Sequence, residues 1–452
     1  MTYNFDKHSY HYRTLLSLGA PLIVGQVGTI VLGFADTLMV GHHSVEELAA
    51  ASFVNTIVSI VLVLALGYSY GLTPIIGQLF GRGETHKIGS VVKNGLAAAT
   101  STALLLLCVL TIVLLSIAHM GQPDELLPLM RPYMVVNMVS LPFVCWFNAL
   151  KQFFDAIGHT KTSMYIMVAA NVLNILGNYV LIYGEWGMPE LGLLGAGLST
   201  MISRIVMFLI AAAIFWCSRR YSEYSQAANE SCFSRGEFTM INKISWPVAM
   251  QMGMESSAFA LTGIMAGWLG TTALATHQIM ITISQLFFMV YYGITAAVSV
   301  RVSYYMGQDN TQEIRNVAAS GFHIVLLIAS IMAVPVLILR GDMGYWFADN
   351  DEVAQLCAQV IIIMVVYQFG DGMQMTYANA LRGTGYVKPM MFIAFFSYLV
   401  ISIPLSYVLG IRLGMGIVGI WAAFPVCLTV AGVLYRHYFR KKVAALERAN
   451  DK

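Results

Sequence analysis

Charge is what this chain has least of. Only 11% of its 452 residues are Asp, Glu, Lys or Arg, against roughly a quarter in a soluble domain. The formal charge of +2 supplies no basic face, so a nucleic-acid partner is not expected. The six cysteines form no CxxC or other metal-type spacing. All but Cys232 lie in or beside apolar runs, so free, buried thiols are expected. No GxxxxGK[ST] stretch is present to cradle nucleotide phosphates, which excludes an ATP-driven pump of that design. HExxH and GxSxG are also absent, and His277 and His323 stand isolated. Two embedded acids invite comparison with an intramembrane aspartyl protease. Glu255 is not an aspartate, however, and Asp371 lacks the flanking pattern. The chain therefore reads as no enzyme, with no resident cofactor.

Apolar residues are what it has in abundance, at 58% and a mean hydropathy of +0.70. Runs of spanning length fall near 14–40, 51–79, 93–118, 130–154, 162–183, 192–217, 244–268, 275–304, 316–339, 353–381, 389–410 and 415–438. Each is long enough to cross a hydrocarbon core of about 30 Å. The apolar character is continuous, which excludes barrel strands. The expected fold is an all-α polytopic membrane protein with twelve transmembrane helices. The polar opening, MTYNFDKHSYHYR, precedes a span too long for a signal-peptide core, so helix 1 is expected in the mature protein. With a cytoplasmic N-terminus, all of the 25 lysines and arginines except Arg131, Arg204, Arg340 and Arg412 fall on the cytoplasmic side. The positive-inside rule then places both termini in the cytoplasm.

The chain is also duplicated. Residues 21–95 align without a gap to 247–321, matching Pro21 with Pro247, Gly41 with Gly267, Gly67 with Gly293 and Gly95 with Gly321, among others. With small gaps the repeat continues through Gly158 and Gly385, Lys161 and Lys388, Gly192 and Gly416, and Gly195 and Gly419. Expected boundaries are an N-terminal six-helix lobe over 1–217, a cytoplasmic linker over 218–243, a C-terminal lobe over 244–438 and a tail over 439–452. Six spans per copy insert both copies the same way up, with the pseudo-two-fold axis along the membrane normal. Two such lobes favour alternating access over a channel.

Acids inside the spans carry the functional signal. Asp36, Glu255 and Asp371 lie well within apolar helices, and Asp155 sits at the cytoplasmic edge of helix 4. A charged carboxylate at a helix centre costs about 2.5–3.5 kcal/mol on insertion scales, so each is a functional candidate by default. The alternative is a protonated acid tied into helix packing. Glu255 and Asp371 sit at similar depth in helices 7 and 10, where burial and repulsion would be relieved by one bound monovalent cation. Tyr367, one turn before Asp371, shares its face; ordinary packing is its other reading. Asn171, Asn174 and Asn178 share a face of helix 5, as interhelical glue or as oxygen ligands beside Asp36 for a hard cation such as Na⁺. In the repeat Asp36 pairs with Thr262 and Glu255 with Thr29, so the lobes have diverged in role. This acidic surplus is opposed within the membrane only by Arg204 and suits cationic substrates. The 27 methionines, 23 phenylalanines, 23 tyrosines and 7 tryptophans fit a loose apolar cavity with cation–π surfaces, although most must face lipid or pack helices. Pro21 and Pro247 remove equivalent hydrogen bonds early in helices 1 and 7, as bends or as static kinks.

Several strings together resemble the multidrug and toxic compound extrusion (MATE) transporters, in their NorM-like bacterial branch. They are PLIVGQVGTIVLGFADTLMVG from Pro21 and NVLNILGNYVLIYGEWGMPELGLLGAG from Asn171. GMESSAFA around Glu255, ATHQ from Ala275, YQFGDGMQ from Tyr367 and ALRGTG from Ala380 complete them. The resemblance covers essentially the whole chain. It implies export of cationic aromatic drugs across the bacterial inner membrane, driven by inward Na⁺ or H⁺ through a V-shaped cavity between two lobes, by a monomer. It also implies a C-lobe cation or substrate site at Glu255, Asp371 and Tyr367, with Na⁺ the one metal expected there, at the two acids. The corresponding N-lobe coupling-cation cluster is Asp36, Asn174 and Asn178. Some members carry aspartate where Asn178 stands, so the N-lobe cluster here has a single acid. The competing reading is a flippase of the same superfamily for lipid-linked oligosaccharides or peptidoglycan precursors, which would call for basic residues in the cavity.

Overall fold

The computed structural model describes residues 5–120 and 123–450, and among them the regular structure is entirely helical. Twelve long helices follow one another: α1 (Phe5–His43), α2 (Val45–Ser69), α3 (Thr85–Ser116), α4 (Leu127–Ala156), α5 (Thr160–Tyr183) and α6 (Gly192–Cys217) in the first half. The second half holds α7 (Arg235–Trp268), α8 (Thr271–Gly307), α9 (Thr311–Ile338), α10 (Asp351–Gly383), α11 (Lys388–Arg412) and α12 (Gly416–Asn450). Even α5, with 24 residues, reaches about 36 Å at 1.5 Å per residue.

Eleven of these helices are long and apolar enough to cross a membrane. The twelfth, α7, has the length, at 34 residues, but Lys243, Gln251, Glu255 and its serines dilute the apolar run. The helix that sequence patterning separates least well from a soluble one is thus the helix that carries a candidate acid.

Side chains that a soluble protein would bury point outward. Leu115, Ile338, Phe392 and Ile112 are 76%, 75%, 66% and 65% exposed, as lipid contact requires. Hydroxyls on the long helices are satisfied locally in examples such as Thr111, donating to the Leu107 carbonyl at 2.8 Å, and Thr37, donating to that of Gly33 at 2.8 Å. These hydroxyls therefore do not face hydrocarbon unpaired. All six cysteines are free; Cys145, Cys357 and Cys427 are buried, whereas Cys108, Cys217 and Cys232 are exposed. The expectation of buried thiols therefore holds for half of them. Cys108 and Cys217 sit on outward faces of apolar helices, where an apolar environment does not mean burial in protein.

The duplication is visible in the backbone. Gly158 and Gly385 adopt φ of 82° and 74°, and Gly192 and Gly416 adopt 52° and 60°, so paired positions of the two copies make the same left-handed turns.

The chain divides into two compact units, one of Val24–Ala249 and one of Met1–Ile23 with Met250–Lys452. The breaks at Ile23 and Ala249 are themselves 226 residues apart, the offset of the sequence repeat. Each follows its proline, Pro21 or Pro247, by two residues. The first half of α1 thus belongs with the C-terminal helices and the first half of α7 with the N-terminal ones. Within the 218–243 segment, a helix over Ser222–Glu230 packs on α3, where the Tyr224 carbonyl and Ala227 crowd Gly89.

Candidate functional site

In the C-terminal unit a polar stripe runs along α10. Tyr367, Asp371, Gln374 and Arg382 recur at spacings of four, three and eight, which keeps them on one face of a helix with 3.6 residues per turn. Tyr367, Asp371, Gln374 and Arg382 are all buried. The neighbouring α7 brings Glu255, half-buried, whose Oε2 accepts from Gln251 Nε2 at 3.0 Å. Gln251 Oε1 in turn accepts from Arg382 at 3.5 Å, and Arg382 also donates to Asn379 Oδ1 at 3.1 Å. Tyr398, Gln374 and the charge of Arg382 also act on Glu255.

Asp371 interacts with Glu255 as a like charge and has no hydrogen bond among the described residues. Buried polar atoms remain around it: Tyr291 Oη and Gln374 Oε1 have no partner among the described residues. Leaving such groups without a partner costs about 1–3 kcal/mol each. The Tyr367 hydroxyl bonds to Ser284 Oγ. Its ring packs near Trp421 and Phe424, with centroids at 5.9 and 6.0 Å, and Trp421 donates to His277 Nδ1 at 3.2 Å. The structure thus brings Glu255, Asp371 and Tyr367 into one neighbourhood of one unit. Two carboxylates against one guanidinium give it a formal charge of −1 with both acids ionised.

The N-terminal unit holds a second polar cluster. Asn178 Nδ2 donates to Asp36 Oδ1 at 2.5 Å and lies 3.1 Å from Asn174 Oδ1. With its amide turned to suit its neighbours, Asn174 donates to Asp36 at 3.0 Å and accepts from Thr200 and Ser203 on α6. Asn174 and Asn178 are fully buried. Asn171 points its Nδ2 towards Gly28 and has no partner among the described residues. Asp155 stands apart from both clusters. It is buried in an ion pair with Lys151 at 2.6 Å and accepts from Ser163 Oγ at 2.5 Å, a satisfied network that fixes the α4–α5 corner.

A family model described as MatE matches the chain twice, over residues 21–180 and 247–408. The two matches cover most of the chain and begin 226 residues apart. The chain belongs to the MatE family. It is accordingly a multi-pass membrane transporter and not an enzyme. It is 29% identical to the multidrug resistance protein NorM of Aliivibrio fischeri over 424 residues, covering 93% of this chain and 92% of that protein. Among solved structures it superposes on the eukaryotic MATE transporter AtDTX14 with a TM-score of 0.87 at 17% identity, covering 98% of this chain and 99% of that one. A MATE structure in the bent conformation gives 0.89 at 18% identity, over 98% and 97%. These likenesses fix the MatE fold of twelve helices in two lobes.

One reading of the sequence needs correction. Arg204 is not the only embedded base, because Arg382, counted above among the cytoplasmic positives, is only 7% exposed and belongs to the Glu255 network. Its position near the end of a 33-residue helix disguised it, since a span predicted to end at 381 leaves residue 382 outside. Gln251, Gln374 and Tyr398 were missed for another reason. Each comes to Glu255 by packing, and the one local signal was the i, i+4 spacing of Gln251 and Glu255.

Proposed function

We propose that this MatE transporter is a secondary antiporter that exports cationic amphipathic aromatic compounds in exchange for Na⁺ or H⁺. The supporting observation is the pair of interacting carboxylates, Glu255 and Asp371, in a polar cluster with a formal charge of −1. Two like charges in low dielectric favour uptake of one positive charge, and a cation offers the partner that Asp371, Tyr291 Oη and Gln374 Oε1 lack among the described residues. A cationic drug and the coupling ion would neutralise the same acids, so the binding of one disfavours the other. Competition of that kind, with the two lobes alternately open to each side, turns an inward ion gradient into outward drug movement. Aromatic side chains beside the acids, Tyr367, Trp421 and Phe424, suit a flat cationic ring. Export as the direction rests on the likeness to the multidrug resistance protein NorM.

The test is ethidium efflux from proteoliposomes under an imposed Na⁺ gradient or an imposed pH gradient. Stimulation by Na⁺ alone makes Glu255 and Asp371 sodium ligands, and stimulation by the pH gradient alone makes them proton carriers. A lack of response to either would remove the antiport reading.

A further inference from the structure

The Asp36 cluster offers oxygen ligands for a cation, yet its surroundings already contain one. Asn174 bonds across to Thr200 Oγ1 at 3.1 Å. Arg204 lies one helical turn beyond Thr200 on the same face of α6, and directly after Ser203, which also reaches Asn174. The guanidinium donates to Ser140 Oγ at 2.7 Å and to Asn137 Oδ1 at 3.3 Å, and both of those residues are buried. Its position is therefore fixed from α4 while its charge acts on Asp36 and on Tyr133. Among the described residues no second acid enters the network: the charged and titratable groups that act on Asp36 and Arg204 are each other and Tyr133.

We propose that Arg204 is a resident counter-cation for Asp36, a positioning residue that holds the N-terminal network charge-closed so that it needs no coupling ion. One acid and one base sum to zero in this network. The two acids and one base around Glu255 sum to −1. Asp36 then stays ionised as the acceptor that orders Asn174 and Asn178, and ion exchange is confined to the C-terminal unit. An arginine that only glued α6 to α4 would serve equally well without its charge. A counter-cation would not, because removing it leaves a carboxylate with no opposing charge in a low-dielectric site.

The test is a double-substitution cycle on the purified full chain in nanodiscs, read as the apparent melting temperature without any ion gradient. Arg204→Gln keeps a donor for Ser140 and Asn137 but removes the charge, and it is expected to melt below wild type. Asp36→Asn alone is expected to melt lower too, since it leaves Arg204 uncompensated. The double variant D36N/R204Q is expected to melt above both single variants, and R204K above R204Q. Independent, additive losses in the double variant would overturn the proposal, as would equal losses in R204K and R204Q. The cycle involves neither Glu255 nor Asp371 and uses no gradient, so its outcome is separate from that of the antiport test.

Discussion

Glu255 and Asp371 approach one another from different helices with different support. Glu255 has Gln251, Tyr398, Gln374 and the charge of Arg382 around it, whereas Asp371 has only the repulsion of Glu255. Asp371 is thus the acid that gains more from a bound cation. Replacing either by its amide, Glu255→Gln or Asp371→Asn, removes the charge and keeps the shape. Each is expected to slow gradient-driven ethidium efflux about tenfold or more, a change of ~1.4 kcal/mol or greater in the barrier. Efflux at the wild-type rate in either variant would remove that residue from the coupling site. Tyr367→Phe keeps the ring against Trp421 and Phe424 and loses the bond to Ser284. It should weaken apparent cation affinity by about 0.5–1.5 kcal/mol, seen as a raised half-saturating ion concentration at unchanged protein yield. The acids were legible in the sequence because a carboxylate in an apolar run is expensive and therefore conspicuous. Their partners were not, because a glutamine or tyrosine in a membrane helix costs little and only packing shows where it points.

Helix crossings repeat between the copies at the positions where the glycines repeat. A Cβ on Gly195 would come within 2.3 Å of the Leu181 carbonyl oxygen, and one on Gly419 within 2.6 Å of that of Leu409. These are the α5–α6 and α11–α12 contacts, where backbone meets backbone and no side chain can yield. Gly195→Ala and Gly419→Ala are each expected to destabilise by about 1–3 kcal/mol, measured as lower melting temperatures in detergent. A neutral result at both would mean that the crossings can slide. The corner between α4 and α5 offers a pH-dependent contact. Burial and the neighbouring Arg220 hold the His159 imidazole below its ordinary range, with Arg220 bonded to Nε2 at 2.8 Å and Tyr221 Oη at 3.1 Å from Nδ1. The unfolded chain then binds the proton more readily than the folded one, so stability is present above the usual histidine range and declines as pH falls into it. His159→Gln should flatten that part of the melting-temperature profile, and an unchanged slope would assign the acid sensitivity elsewhere. Periodicity and the gapless repeat made these helices and their pairing readable in advance. The same patterning placed α7 within 244–268, while the helix itself starts at Arg235 and is too polar to pass as a span by composition. Its first turns are held by contacts that no hydropathy window contains. Glu237 there accepts from Ser90 and Asn94, both at 2.8 Å.

For the molecule as a whole, the copies share a backbone but differ in charge, and that asymmetry limits the ion stoichiometry. Symmetric duplication alone would suggest two equivalent sites and two ions per cycle. The embedded groups argue otherwise: Asp36 with Arg204 sums to zero, and Glu255 with Asp371 and Arg382 sums to −1. A site in low dielectric takes up charge until it is near neutral, because each further unpaired charge costs several kcal/mol. Binding of a monovalent drug cation is therefore expected to displace a single positive charge, as one Na⁺ by equilibrium dialysis or one proton by dye titration. Asp371→Asn should abolish that release, since Glu255 and Arg382 then balance without an ion. Arg382→Gln should raise it towards two, because both acids would need a partner. Release of two ions by the wild-type protein would show that Arg382 does not count towards the site, and an unchanged release in Asp371→Asn would place the exchanged charge outside it.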